Sequence, residues 1–219
     1  MTWNPRRARR DRRLDGLEQL RVARRVVADD VTVLGEQLAE LHVDTLADRL
    51  DDVATHHYRR GLDGYEHAKE RLRTAATAED LVATTQLVED ARYHRACVLA
   101  VRDDEELPTR REPCFFDPRH GPSTTDVVWS PPSGAARPVP VCAADARRLA
   151  GDEPPQVRLV RIGDRYVPWH EVGSLEEVMR RTRDVLADAA RLRHQQHQLA
   201  PGLELDAFDG FDGYGGGPI

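Results

Sequence analysis

Apolar residues recur every seven positions near the start of the chain. Leu20, Val27, Leu34 and Leu41 form one row, and Val31 and Leu38 fall in the complementary row. Leu17 extends the pattern backwards, with Arg24 interrupting it. Two interleaved rows of this kind are the seam of a coiled coil or a long helical hairpin, with the intervening charges facing outward. After Leu41 the register shifts to Val43, Leu46, Leu50 and Val53, a skip that bends a helix or changes its supercoil. The pattern passes on through Tyr58, Leu62, Tyr65 and Leu72, where Gly61 and Gly64 intervene. Each mid-helix glycine costs about 1 kcal/mol relative to alanine, which predicts a kink or break near Gly61. Thr77-Ala-Glu-Asp80 reads as a variant capping box. The helix it opens carries Leu81, Val88, Ala91, Arg95 and Val98 on one face and ends before Leu107-Pro108.

The helical period then stops. From Pro113 the chain is rich in Pro, Gly and Ser, with a short strand signal at Val127-Val128-Trp129. Val139-Pro-Val141 leads into Cys142, and residues 143–149 read as a short helix stopped by Gly151. Val157 to Ile162 alternates, Gly163-Asp164 is a tight-turn signal, and Arg165 to Trp169 returns. That predicts a β-hairpin adding strands to the central module. Ser174-Leu-Glu-Glu177 reads as a capping box. The helix behind it presents Leu175, Val178, Thr182, Val185, Ala189 and Leu192, and packs back on the first helices to close a bundle.

The predicted fold class is therefore mainly α. A long helical hairpin or coiled coil carries an inserted small β-finger and a C-terminal closing helix. The boundaries are a basic leader at 1–13, a helical region at 14–107, the finger with its hairpin at 108–172, an amphipathic helix at 173–200 and a Gly/aromatic/acidic tail at 201–219.

Composition narrows the choices. Charged residues make up 32% and aromatics 5% of the chain, which suits long amphipathic helices better than a thick core. A net charge of -6 argues against general nucleic-acid binding, which needs a basic face to displace counterions. The exception is the leader. Arg6, Arg7, Arg9, Arg10, Arg12 and Arg13 form either a solvated, frayed end or a peripheral contact with a membrane surface. No apolar stretch approaches the roughly 18–20 residues needed to span a bilayer, and no apolar run follows the leader as in a signal peptide. A soluble cytoplasmic protein is expected. The odd count of three cysteines suits that setting better than a secreted disulfide framework.

The chemistry-bearing residues concentrate in the finger. Cys114-Phe-Phe-Asp117 and Cys142-Ala-Ala-Asp145 share one spacing and flank the strand signals. The order is knuckle, hairpin-like excursion, then a second knuckle opening a helix. It resembles a treble-clef zinc finger of the type at the N-terminus of Clp-family unfoldases. In that family both knuckles are C-x2-C; here the second cysteine of each pair is aspartate. The likeness covers about forty residues. The same stretch also resembles one in actinobacterial proteins, some of them membrane-anchored, and that likeness implies no activity.

Three readings of the doublet stand open. The pairs hold one zinc ion, either as Cys114, Asp117, Cys142 and Asp145 or as Cys114, Cys142, His120 and one aspartate; zinc takes all three donor types, but closed structural sites favour Cys and His. Alternatively Cys114 and Cys142 form a disulfide, whose model value for a loop of this length is about 3–4 kcal/mol. In the third reading no cofactor is bound, and the cysteines are reduced and packed under Phe115, Phe116 and Trp129. His170 is a fallback ligand. Cys114 with His120 has the residue types of a thiol enzyme, but no glycine turn of the oxyanion-hole kind stands beside Cys114.

The other candidates read as structural. Neighbouring His56 and His57 point about 100° apart on a helix and do not serve one site easily. His67 reads with them as a spacer, and Cys97 as a small core residue. His194 and His197 read as part of a solvated face. In the tail, Phe208, Phe211 and Tyr214 stand three apart with acids between them, either as a short docking motif or as a flexible solubilising end. The expected function is a non-enzymatic scaffold or adaptor that self-associates through its helices and binds protein partners through finger and tail. A metal- or redox-sensing regulator using Cys114 and Cys142 is the alternative. A thiol- or metal-dependent enzyme is the more distant one.

Overall fold

The computed structural model describes residues 5–45, 50–132 and 134–199. Leu46 and the tail aromatics Phe208, Phe211 and Tyr214 lie outside the described residues. The fold is mainly helical with two small antiparallel sheets. Helix α1 (Pro5–Thr45) is the spine. Residues 5–13 of the basic leader form its first turns. α2 (Asp52–Thr74) follows with Asp51 as N-cap, accepting from the Ala54 amide at 2.7 Å. The register shift after Leu41 thus marks a break between two helices.

α3 (Ala78–Arg102) begins at the expected box: the Thr77 hydroxyl accepts from the Asp80 amide, and the Asp80 carboxylate accepts from the Thr77 amide. The seven-residue rows are buried within one chain. Val31, Leu34, Leu38 and Leu41 pack with Ala68, Val88, Ala91 and Val98 of α2 and α3. The predicted seam is covered by the chain's own helices. Arg24, which interrupts the row, donates to the Leu72 and Ala75 carbonyls at 2.6 and 2.7 Å. It satisfies the open end of α2.

No break occurs at Gly61, and α2 runs straight through both glycines. Close approach explains Gly64 and not Gly61. A Cβ on Gly64 would stand 3.2 Å from the Ala91 Cβ of α3, whereas one on Gly61 would meet nothing nearer than 3.7 Å. At Gly64 the α2–α3 contact therefore offsets what glycine loses in helix propensity.

The N-terminal half of α1 carries a second core. Val22, Ala23, Val26 and Val27 pack against Leu175 and Val178 of α6 (Leu175–Leu199) and against Val160 and Ile162. The last two belong to β3 (Leu159–Ile162), paired antiparallel with β4 (Arg165–Pro168) around the left-handed Gly163. This hairpin forms as predicted but makes its own sheet and adds no strand to the finger. A short α5 (Trp169–Val172) turns into α6. The Ser174 hydroxyl caps α6 by accepting from the Glu177 amide at 3.2 Å. The Glu177 carboxylate is taken by Arg180 and Arg181 instead, so the predicted box is half made. α6 closes the bundle along its first two turns, while Val185 and Leu192 further on are exposed.

The finger has its own small core of Cys114, Phe116, Val139, Val141 and Cys142. β1 (Thr125–Trp129) and β2 (Arg137–Val141) pair antiparallel with Thr125 opposite Val141. The two prolines of β2 fit because a two-stranded sheet leaves alternate amides unpaired. α4 (Ala143–Ala150) follows directly. Backbone and side-chain contacts tie the finger to the rest of the chain, among them Arg110 with Asp90 of α3. The Arg158 amide donates to the Phe116 carbonyl at 3.1 Å, and the Gln37 side chain donates to the Arg119 carbonyl at 2.9 Å.

Candidate metal centre

The loop after Cys114 is built to return on itself. The Cys114 amide donates to the Gly121 carbonyl at 3.1 Å, and Pro113 bridges Pro122. Gly121 has φ +94, a conformation that a side chain would strain. Between these ends, Asp117 caps a 3-10 turn over Pro118–His120. That turn swings His120 back over Cys114. From the other side, Cys142 is the N-cap of α4 and accepts from the Asp145 amide at 3.4 Å. The spacing of Cys142 and Asp145 is thus that of N-cap and third helical residue, and it aims the Asp145 carboxylate at the same point.

Among the described residues, Cys114, His120, Cys142 and Asp145 form one group whose ligand atoms all lie within 4.8 Å of one another. Four of its edges have definite lengths. His120 Nδ1 is 3.0 Å and Cys114 Sγ 3.3 Å from Asp145 Oδ2; Cys142 Sγ is 3.6 Å from both His120 Nδ1 and Asp145 Oδ2. A tetrahedral zinc ion with Zn–S of about 2.3 Å and Zn–N or Zn–O of about 2.0–2.1 Å gives edges of roughly 3.3–3.8 Å. The group is close to that size. Its second Asp145 oxygen accepts from the Gln156 amide at 2.9 Å, which leaves one oxygen for a metal.

Burial makes the group demand a partner charge. Asp145 is fully buried and Cys114 nearly so, and a buried carboxylate is costly unless paired or metal-bound. Donation from Cys114 lowers the Cys142 thiol, with backbone amides at the α4 N-terminus also favouring its thiolate. That hydrogen bond, followed by burial, pushes Cys114 up. A hydrogen bond with Cys114, ahead of the carboxylates Asp117 and Asp145, raises His120 against its burial.

Asp117, a sequence candidate for ligation, lies outside the group. Its carboxylate receives Arg119 Nε at 2.9 and 3.1 Å and Nη2 at 2.7 Å. Burial acts to raise it, and the Arg119 hydrogen bonds outweigh that and hold it below its usual value. Asp117 Oδ2 also stands 3.8 Å from His120 Nε2, the ring nitrogen turned away from the cluster. At that distance its charge faces the outer side of the ring without a direct hydrogen bond, the side on which carboxylates commonly support metal-bound histidines. The position that Asp117 would fill is taken by His120. Cys97, Cys114 and Cys142 are free cysteines in the structure.

His170 is also outside the group. Its ring packs against Phe115, Phe116 and Trp129 with centroids 5.9, 5.8 and 5.1 Å away, roofing the finger. Cys97 is buried in α3, and burial raises its thiol. The His57 ring meets that of His56 edge-on with centroids 5.4 Å apart and pairs across helices with His94, Nδ1 to Nδ1 at 2.8 Å.

One buried ionic cluster was not foreseen from the sequence. Asp30 of α1 meets Arg158 at 2.9 Å and Arg92 of α3 at 3.6 Å, all three at least 95% buried. Arg158 also donates to the Val26 carbonyl at 3.0 Å and lies 5.0 Å from the Trp169 ring centre. The members are 62 and 128 positions from Asp30. Only an acid inside an otherwise apolar helical face hinted at it. Comparison with protein-family models, curated proteins and solved structures gives no match for this chain.

Proposed function

We propose that the chain is a non-enzymatic scaffold or adaptor whose finger is organised by one zinc ion on Cys114, His120, Cys142 and Asp145. The carrying observation is a four-donor group of tetrahedral size with its carboxylate and thiols buried. Four protein ligands complete a structural zinc shell and leave no position for substrate. The order of loop, hairpin and helix with one ligand pair at each end supports a treble-clef-like finger. Protein partners would meet the finger and the tail residues Phe208, Phe211 and Tyr214. Self-association through helices, by which the adaptor would form a homo-oligomer, has the exposed Val185 and Leu192 of α6 to use, since the seven-residue rows are buried. No described helix is long and apolar enough to cross a membrane.

The test is native mass spectrometry of protein purified without chelator. One zinc per chain, lost in Cys142→Ser, is expected. A metal-free chain whose thermal stability ignores both zinc and chelator would refute the reading. A second reading, a metal- or redox-sensing regulator, is favoured by the carboxylate ligand. A carboxylate holds zinc less firmly than a thiolate, so release would leave Cys114 and Cys142 adjacent. Peroxide would then take two electrons from the thiols, giving one disulfide and two waters. Stoichiometric zinc that resists peroxide would dismiss it.

A further inference from the structure

We infer that the first turns of α1 are a docking face for the chain's own acidic-aromatic segment 200–219. Residues 5–17 carry six arginines against two acids, Asp11 and Asp15, and Arg9, Arg10, Arg12 and Arg13 are exposed on the helix. Arginines four apart on a helix, as Arg9 and Arg13 are, repel by a few tenths of a kcal/mol. A helix that persists through such a run gains from a counter-charge. Beside the arginines stand Leu14 and Leu17, 52% and 53% exposed. Leu14 lies one turn beyond Arg10, and Leu17 one turn beyond Arg13, so cation and leucine share each stripe. The face offers paired arginines around an apolar patch.

Segment 200–219 is the complement. It holds Glu204, Asp206, Asp209 and Asp212 and no basic residue. Phe208, Phe211 and Tyr214 alternate with those acids, and Leu203 and Leu205 precede them. Carboxylates pair with guanidinium groups, and aromatic rings stack on guanidinium planes and cover leucine. Reach is sufficient. Twenty residues span about 25 Å as a random chain and roughly 65–70 Å when extended. α6 starts packed on Val22 and Val26 of α1 and its 25 residues run about 37 Å, which keeps residues 9–17 within the extended reach. Docking in the same chain benefits from a local concentration in the millimolar range, so weak contacts suffice. The occupied face would be shielded from other anionic surfaces, which makes the segment a built-in competitor for the arginines.

The full chain tests this with a photo-crosslinking benzoylphenylalanine in place of Phe211. Irradiation should link position 211 to residues 9–17 within one chain, read by peptide mapping of the monomer band. Reversing Arg9, Arg10, Arg12 and Arg13 to Glu should cut that yield roughly tenfold. Adding Asp206→Lys, Asp209→Lys and Asp212→Lys should restore it. Circular dichroism confirms that each variant keeps its helices; should the reversal unfold α1, the tail-lysine variant alone must show the same loss. Crosslinks elsewhere on the chain, in a dimer band, or unchanged by either reversal overturn the inference. So does a yield that acidic-phospholipid vesicles leave untouched while the chain binds them through α1. None of these outcomes depends on zinc.

Discussion

At the scale of single residues, Asp117 and Asp145 separate by what surrounds them. Both are the fourth residue of a Cys-x2-Asp unit, yet one is held by Arg119 and the other faces two thiols and an imidazole. Asp145→Asn should abolish stoichiometric zinc. Asp117→Asn should keep one ion per chain and weaken its binding by about 10–100-fold, as for other carboxylates behind a ligand histidine. Competition with a zinc-responsive dye measures both, and equal losses would remove the distinction. His94 supplies a pH test. Burial, then the neighbouring His57, lowers it from 6.5 to about 4. Between those values the unfolded chain binds a proton that the folded chain refuses, so stability falls as pH drops through that window and is insensitive to His94 above it. Denaturant midpoints from pH 8 to 4.5 should therefore fall less steeply in His94→Gln than in the parent.

At the scale of elements, the two glycines of α2 make opposite predictions from one propensity argument. A Cβ on Gly61 finds ordinary contact distances, so Gly61→Ala should stabilise by up to about 1 kcal/mol. A Cβ on Gly64 would press on Ala91 at 3.2 Å. Gly64→Ala must move α2 against α3 and should gain nothing or lose stability. Urea unfolding of the two variants reads the difference. The sequence marked both glycines as helix weaknesses. Whether an added methyl meets space or a neighbouring helix depends on α3, thirty residues on. The same holds for the heptad rows. Their spacing announced a buried stripe, but two rows of leucine and valine fit a partner helix from the same chain or from another one equally well.

At the scale of the whole molecule, Asp30 joins the bundle to the hairpin beyond the finger. It faces two guanidinium groups in a dry interior. Removing the shared acid leaves both uncompensated, and breaking a buried pair typically costs about 3–5 kcal/mol. Asp30→Ala should lose at least that much, and the single unfolding transition of the parent should broaden or split. Two separate transitions in the parent protein, one reporting Trp129 and one reporting helicity, would show that the cluster does not couple them.

What the sequence alone determined is local. Helix starts at Thr77 and Ser174, both hairpins, and the short helix after Cys142 follow from caps, turns and periods that involve only neighbouring residues. The fold class follows from their order. What the tertiary structure decided is pairing at a distance. It chose His120 over Asp117 for the cluster, because a capped 3-10 turn closed by Gly121 aims the imidazole inward and Arg119 draws the aspartate away. It set Asp30, Arg92 and Arg158 together from three separate elements. Spacing fixes which face a side chain takes on its own element, whereas convergence of side chains across elements depends on how those elements pack.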